Sequence, residues 1–219
     1  HPAVREVSVV GVPDPDFGDG PRTPAGNHDV ALVKLTAAGS LVWVRQFGNP
    51  NEETVLRLVA DLYGNVILAG SFSDSIDLGA GPMASHGRDD FYLAKYAGDG
   101  RLLWAKALGS TDIEHSNAGL AVDGPGNVYF AGSYGMGVMN ASIDLGGGPL
   151  RAAGYTDSFV AKFDPGGAHI FSKRFGSVGH DYLTSLSLAA SGDIVLGGSF
   201  WGPVDLGGGT MDPGGAGTT

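Results

Sequence analysis

Cysteine is absent from the 219 residues, which removes disulfides, zinc-thiolate centres and thiol catalysis from consideration. Charge is sparse: Asp, Glu, Lys and Arg make up 16% of the chain, against about 25% in an ordinary globular protein. Basic residues are the scarcer kind, 13 against 23 acidic, and the net charge is −10. Affinity for a phosphate backbone or an anionic bilayer rests on Lys and Arg, so nucleic acid and membrane surfaces are not expected partners. No apolar run approaches the roughly 18 residues of a membrane span, so no membrane insertion is expected. No stretch carries the 3.6-residue periodicity of an amphipathic helix, and helix should be minimal.

Glycine is the residue in excess: 38 of 219, about 17% where ~7% is usual. With 12 prolines the composition nears that of low-complexity disorder. The glycines fall at fixed phases of a repeat, however, which marks them as turn residues. DVALVKLTAAGSLVWVRQFG (29–48), DFYLAKYAGDGRLLWAKALG (90–109) and DSFVAKFDPGGAHIFSKRFG (157–176) align without a gap. Asp29, Asp90 and Asp157 open them; Lys34, Lys95 and Lys162 follow. Gly39, Gly100 and Gly167 come next, then Trp43, Trp104 and Phe171, and Gly48, Gly109 and Gly176 close. Downstream, Gly64, Gly126 and Gly192 precede Gly70, Gly132 and Gly198, and DLGAG or DLGGG follows at 77, 144 and 205. The period is 61 residues (29 to 90) and then 67 (90 to 157).

Each repeat reads as four short strands, in the first roughly 29–36, 41–47, 55–61 and 65–72, rich in β-branched and aromatic residues and separated by glycine-bearing turns. The opening strand is apolar on both alternating faces, so its sheet must be sandwiched between neighbours. Four-stranded units stacked face to face are the β-propeller solution; a parallel β-helix is the alternative, but its repeats are shorter. The expected fold is all-β, a β-propeller with three complete four-stranded blades plus a partial one. Residues 1–28 are assigned to the tail of a preceding blade, 29–89 to the first blade repeat, 90–156 to the second and 157–219 to the third. Three blades do not close a ring, so the chain reads as an open fragment of a longer propeller of roughly seven blades. The remaining blades of that longer chain are then expected partners.

These columns resemble the SBBP-type bacterial β-propeller repeat, whose pattern runs D-x-F-V-x-K, then G-x-x-x-W, then D-x-x-G-N-x-Y-x-x-G-S. DDFYLAKYAGDGRLLW, AVDGPGNVYFAGS and TDSFVAKFDPGG carry the resemblance; Phe171 in place of Trp, and Ala189 in place of the Asp at Asp61 and Asp123, depart from it. The resemblance implies a secreted or cell-surface bacterial protein and a fold, not a reaction. The leading expectation is a non-enzymatic extracellular scaffold that binds a protein or a glycan. One alternative is a propeller enzyme acting on glycans, or a quinoprotein-like oxidoreductase, whose propellers SLVW and RLLW resemble. Another is a structural spacer in a larger surface protein. Near-identical columns argue for scaffold, because a single active site should break the repeat symmetry. His86, Arg88, Asp89 and Tyr155 do break it.

The loops are unequal. Links between strands one and two, and three and four, are tight; those leading to the next repeat are long, at about 73–89, 135–156 and 201–219. Binding residues favour long loops on a rigid scaffold, so the long-loop face is the candidate surface. Asp29, Asp90 and Asp157 are expected there, at the mouth of the innermost strand, either attracting a cation or hydroxyl-rich ligand or capping a turn. Ahead of strand three, Glu52, Glu114 and His180 align, beside Glu53, His115 and Asp181; carboxylates next to imidazoles suit a metal or acid–base work, or plain loop polarity. Trp43 and Trp104 read as packing anchors, whereas Trp201 lies outside the pattern and is the candidate for carbohydrate stacking. No cofactor is expected. The weak alternative is calcium at Asp16, Asp77, Asp144 and Asp205, where an Asx-turn to the following glycine amides is the simpler account. The strand lysines read as members of inter-strand ion pairs with a repeat Asp.

Overall fold

The computed structural model describes residues 4–10, 16–26, 28–110, 114–136, 138–206 and 208–212, with 4–10 and 114–118 described as backbone. The described residues form strands, turns and bends, with no helix. The chain divides into two compact units, 1–107 and 108–219.

In the first unit, β1 (Val4–Val10), β2 (His28–Leu35) and β3 (Leu41–Phe47) make a three-stranded antiparallel sheet. A second sheet joins β4 (Glu53–Ala60) and β5 (Val66–Phe72) to β8 (Asp90–Tyr96) and β9 (Leu102–Leu108), in the order β4-β5-β8-β9. Between β5 and β8 the chain makes a small hairpin of β6 (Ser75–Asp77) and β7 (Pro82–Ala84). The second unit repeats the plan. Its four-stranded sheet holds β10 (Glu114–Val122), β11 (Val128–Tyr134), β14 (Asp157–Phe163) and β15 (His169–Phe175), with β12 (Ser142–Asp144) and β13 (Pro149–Arg151) as the hairpin. β16 (Tyr182–Leu188) and β17 (Ile194–Ser199) pair as two strands, and β18 (Val204–Asp205) with β19 (Thr210–Met211).

The strands fall within two residues of the positions read from the sequence, but the sheets are out of phase with the repeat. Each four-stranded sheet takes its first two strands from the end of one repeat and its last two from the start of the next. Residues 29, 90 and 157 therefore open sequence repeats, not sheets. For the same reason the strands that begin with Asp90 and Asp157 are not the innermost, edge strands of their sheets: β8 pairs β5 on one side and β9 on the other, and β14 lies likewise between β11 and β15. A strand paired on both sides and covered on both faces should be apolar throughout, and all seven residues of β8 and of β11 are buried.

The core of the first unit packs Val30, Leu32, Trp43 and Phe47 against Leu68, Phe72, Tyr92 and Tyr96, with Ile76 and Leu78 of the small hairpin closing one end. In the second unit, Ala131 and Val160 meet Leu183, flanked by Phe175, Ile194 and Leu196. Tight turns at 61–65 and 97–101 close β4 onto β5 and β8 onto β9 at one end of their sheet. The register Phe72↔Asp90 puts the long link 73–89 at the other end.

Candidate functional site

The repeated polar residues are used inside the fold. Asp29 accepts the amides of Ala25 and Gly26, 2.9 and 3.1 Å away, and the Gln46 side chain at 2.8 Å. Asp90 takes the amides of His86 and Gly87, with the His86 imidazole 2.9 Å away. Asp157 takes those of Ala153 and Gly154 together with the Arg174 guanidinium. Each buried carboxylate thus holds the loop that leads into its own strand, satisfying amides that would otherwise be orphaned. Asp89 accepts from the Ser73 hydroxyl, and Arg88 is exposed.

The strand lysines form the ion pairs expected of them in two sheets. Lys95 Nζ lies 3.0 Å from Asp61 Oδ2 with both side chains buried, and Lys162 lies 3.7 Å from Asp123. Burial disfavours the ionised form of Asp61, but hydrogen bonds from Asn65 and Lys95 outweigh it and hold the carboxyl below the usual range. Asp123 behaves alike: burial opposes ionisation, and Asn127, Tyr129 and Lys162 overcome it. Lys34 instead donates to the carbonyl of Gly98, which also accepts from Trp43 Nε1. In the DLG motifs and the DFG at 16–18, Asp16, Asp77 and Asp144 each accept two glycine amides through Oδ1, at 2.7 to 3.1 Å, and Asp205 accepts that of Gly209. Among the described residues no three His, Asp or Glu side chains are grouped to hold a metal.

Ahead of strand three, register corrects the alignment. Glu53 pairs with Phe72, and Glu114 with Tyr134, the residue in the same repeat position as Phe72. Glu114 therefore belongs with Glu53 and Asp181, not with Glu52 and His180. The β10 bulge between Glu114 and Ala118 absorbs one residue more than the β4 bulge, so counting back from Gly132 misplaces Glu114, whereas counting on from the opening Asp (29 to 53, 90 to 114, 157 to 181) does not. The side chains of Glu114 and His115 lie outside the described residues. Glu53 and Asp181 are buried and accept the amides of Asn49 and Ser177. Among the described residues Glu53 Oε1 has no hydrogen-bond partner. Burial pushes the Glu53 carboxyl up to about 7, the Asn49 amide pulls it down and the charge of Asp29 adds to the rise. Glu52 sits at the surface, 3.7 Å from His28.

What gathers on the long-loop end of the second unit is a group of rings. His180 lies between Tyr155 (centroids 5.5 Å, planes 24° apart) and Tyr182 (6.2 Å, 5°), with Trp201 tilted beside it at 6.2 Å. The His180 Nδ1 is 3.0 Å from the Thr156 hydroxyl. Trp201 is 73% exposed, yet its backbone is pinned. Its amide donates to Asp181 Oδ1 at 3.0 Å, and its carbonyl accepts from Ser177. A Cβ on Gly179 would fall 2.2 Å from that carbonyl. Alongside runs an insert: two residues separate Phe72 from Ser75, but seven separate Tyr134 from Ser142. It turns at Gly135, where an added Cβ would fall 3.2 Å from the Tyr155 carbonyl, and exposes Met136, Val138 and Met139. In the first repeat the positions of His180, Tyr182 and Trp201 are Glu52, Thr54 and Ser73, and Arg88 stands where Tyr155 does. His180, Asp181 and Trp201 were legible as candidates; Tyr182 was not, because it sits inside a strand pattern and only the fold sets it against His180.

No protein-family model matches the chain. It is 29% identical over 217 residues to the regulatory protein FlaEY of Caulobacter vibrioides, covering 90% of this chain and 22% of that protein. It is 21% identical over 204 residues to an uncharacterized WD repeat-containing protein of Acanthamoeba polyphaga mimivirus, covering 80% of this chain and 15% of that protein. The chain thus spans about a fifth or less of the length of these curated relatives.

Proposed function

We propose that the chain is a segment of a bacterial, secreted or surface-displayed β-propeller that works as a non-enzymatic interaction scaffold, contacting a protein partner through the long-loop end of its second unit. The observation that carries this reading is the division of labour among side chains. Repeated polar positions are consumed by internal hydrogen bonds and ion pairs. Side chains that break the repeat, Tyr155, His180, Tyr182 and Trp201, collect with Met136 and Met139 on one exposed end. Aromatic residues and methionine are what protein interfaces concentrate, and a large exposed apolar patch marks an interaction site. WD-repeat and regulatory relatives support a scaffold role; the extracellular address rests on the resemblance of the repeat.

A photo-activated cross-linker at position 139, compared with one at Pro125 in the tight turn of the same unit, tests the surface. Adducts with one protein from position 139, lost on Trp201→Ala and absent from position 125, support it. Equal yields from both ends would sink it, and glycan binding abolished by Trp201→Ala would replace the protein partner with a sugar.

A further inference from the structure

A cavity of about 390 Å³ in the second unit lies against β17. Its apolar walls include Phe175, Ile194, Leu196, Phe200, Val204 and Leu206. At the offset between first and third repeats (157 − 29 = 128) these are the counterparts of Phe47, Val66, Leu68, Phe72, Ile76 and Leu78. All six of those are buried in the first unit's core. What that core has and the cavity lacks is β8 and β9, which add Tyr92, Ala94 and Tyr96. The cavity has the outline of a missing hairpin.

The edge agrees. β5 pairs on its far side with β8, Val66↔Tyr96 through Phe72↔Asp90. Among the described residues β17, its counterpart, has β16 on one side and no strand on the other. Beside Gly70 an added Cβ would fall 2.0 Å from the Thr54 carbonyl and 2.3 Å from the Tyr92 hydroxyl; at Gly198 the equivalent Tyr182 carbonyl lies 2.2 Å away, so the position stays bare whether or not a tyrosine packs there.

Charge is kept by an exchange of positions. In the first unit Asn65 Nδ2 donates to Asp61 Oδ2 at 2.8 Å, and Asp61 pairs with Lys95. Asp123 and Asn127 repeat the arrangement with Lys162. In the third repeat the Asp position is Ala189 and the Asn position is Asp193. Asp193, whose carboxylate accepts the Ser191 hydroxyl at 2.6 Å, is therefore the carboxylate that the lysine of an added strand would meet.

We infer that the free edge of β17 and the cavity beside it receive the opening hairpin of another repeat of this type, with its strand lysine paired to Asp193. This site shares Tyr182 with the contact surface proposed above but is argued from the edge of β17 and its apolar lining, not from the ring group. The occupant is an antiparallel hairpin with aromatic residues at its third and seventh positions and lysine at its sixth, added by strand augmentation.

The test uses the 219-residue protein and a synthetic peptide of sequence 90–109. Binding should raise the Tm by about 5–10 °C at a hundredfold excess over Kd and slow amide exchange at Ile194, Leu196 and Gly198. A peptide carrying both Tyr92→Ser and Tyr96→Ser should bind about tenfold or more weakly. The Lys95→Met peptide and the Asp193→Asn protein should each lose about two- to fivefold, and together no more than one alone. No protection on β17 would overturn the site, and additive losses would overturn the ion pair. Concentration-dependent self-association that the peptide reverses would overturn the source, making the occupant a second copy.

Discussion

The carboxylate of Asp157 fills the space that a side chain on Gly176 would need, and Asp29 stands the same way against Gly48. A Cβ would fall 2.5 Å from Asp157 Cγ in one case and 2.3 Å from Asp29 Cγ in the other. Two columns of the repeat, its first and last, are thus one structural unit: an acid that ties down a loop and a glycine that gives it room. Gly48→Ala and Gly176→Ala should each lower stability by about 1–3 kcal/mol in urea unfolding. Gly124→Ala, where an added Cβ has nothing within 4 Å, should change it by less than about 0.5 kcal/mol.

Asp61→Asn should cost more than Lys95→Met. The first leaves a buried ammonium without its counter-charge, a loss of about 3–5 kcal/mol. The second leaves Asp61 with the amides of Tyr63 and Asn65 and the Asn65 side chain. Equal losses in denaturant melts at pH 7 would show that the lysine is not held in a dry environment.

Stability should fall on both sides of its pH maximum, for different residues. Asp61 and Asp123 titrate below their ordinary range in the folded chain, so their contribution is complete above the unfolded value of about 4 and is lost as the pH drops through the folded one. Glu53 has the opposite sign. Its carboxyl is raised to about 7, so the folded state holds a proton that the unfolded state releases near pH 4.5. Stability from this group is complete below that value and is lost as the pH rises through 7. Glu53→Gln should flatten unfolding free energy between pH 5 and 8, removing a decline of up to about 3 kcal/mol. A decline that survives the substitution would assign it elsewhere.

Acrylamide quenching should single out Trp201, the exposed one of three tryptophans; Trp43 is buried. Trp201→Phe should remove the readily quenched fraction of the emission without lowering the Tm by more than about 2 °C. Asp181→Asn should do the reverse. It weakens the bonds to Ser177 and to the Trp201 amide, lowering stability by about 1–3 kcal/mol and speeding exchange at the Trp201 amide.

Much of this was legible before any coordinates. Alternation and glycine spacing located the strands, and the Asx-turn account of Asp77 and Asp144 follows from the glycines two and four residues on. Three things were not. Period-two alternation says where a strand lies but not which strand it bonds to, so the half-repeat offset of the sheets was hidden. Pro82 and Pro149 beside glycine clusters read as loop, yet proline suits the end of a short edge strand, and each begins the second strand of a small hairpin. The extra residue of the β10 bulge put Glu114 in one column when counted from the opening Asp and in another when counted back from Gly132, and hydrogen-bond register decides for the first. The ring group was half visible: Tyr155 and Trp201 stood out against the repeat and His180 was a candidate within an aligned column, but their approach across dozens of residues belongs to the fold.

The phase difference between repeat and sheet changes what a genetic duplication delivers. A copied segment brings the closing half of one sheet and the opening half of the next, so an insertion lands as two unmatched halves that its neighbours on either side complete. No cut point is privileged, and a series built this way can grow or shrink by whole periods without any seam having to be preserved.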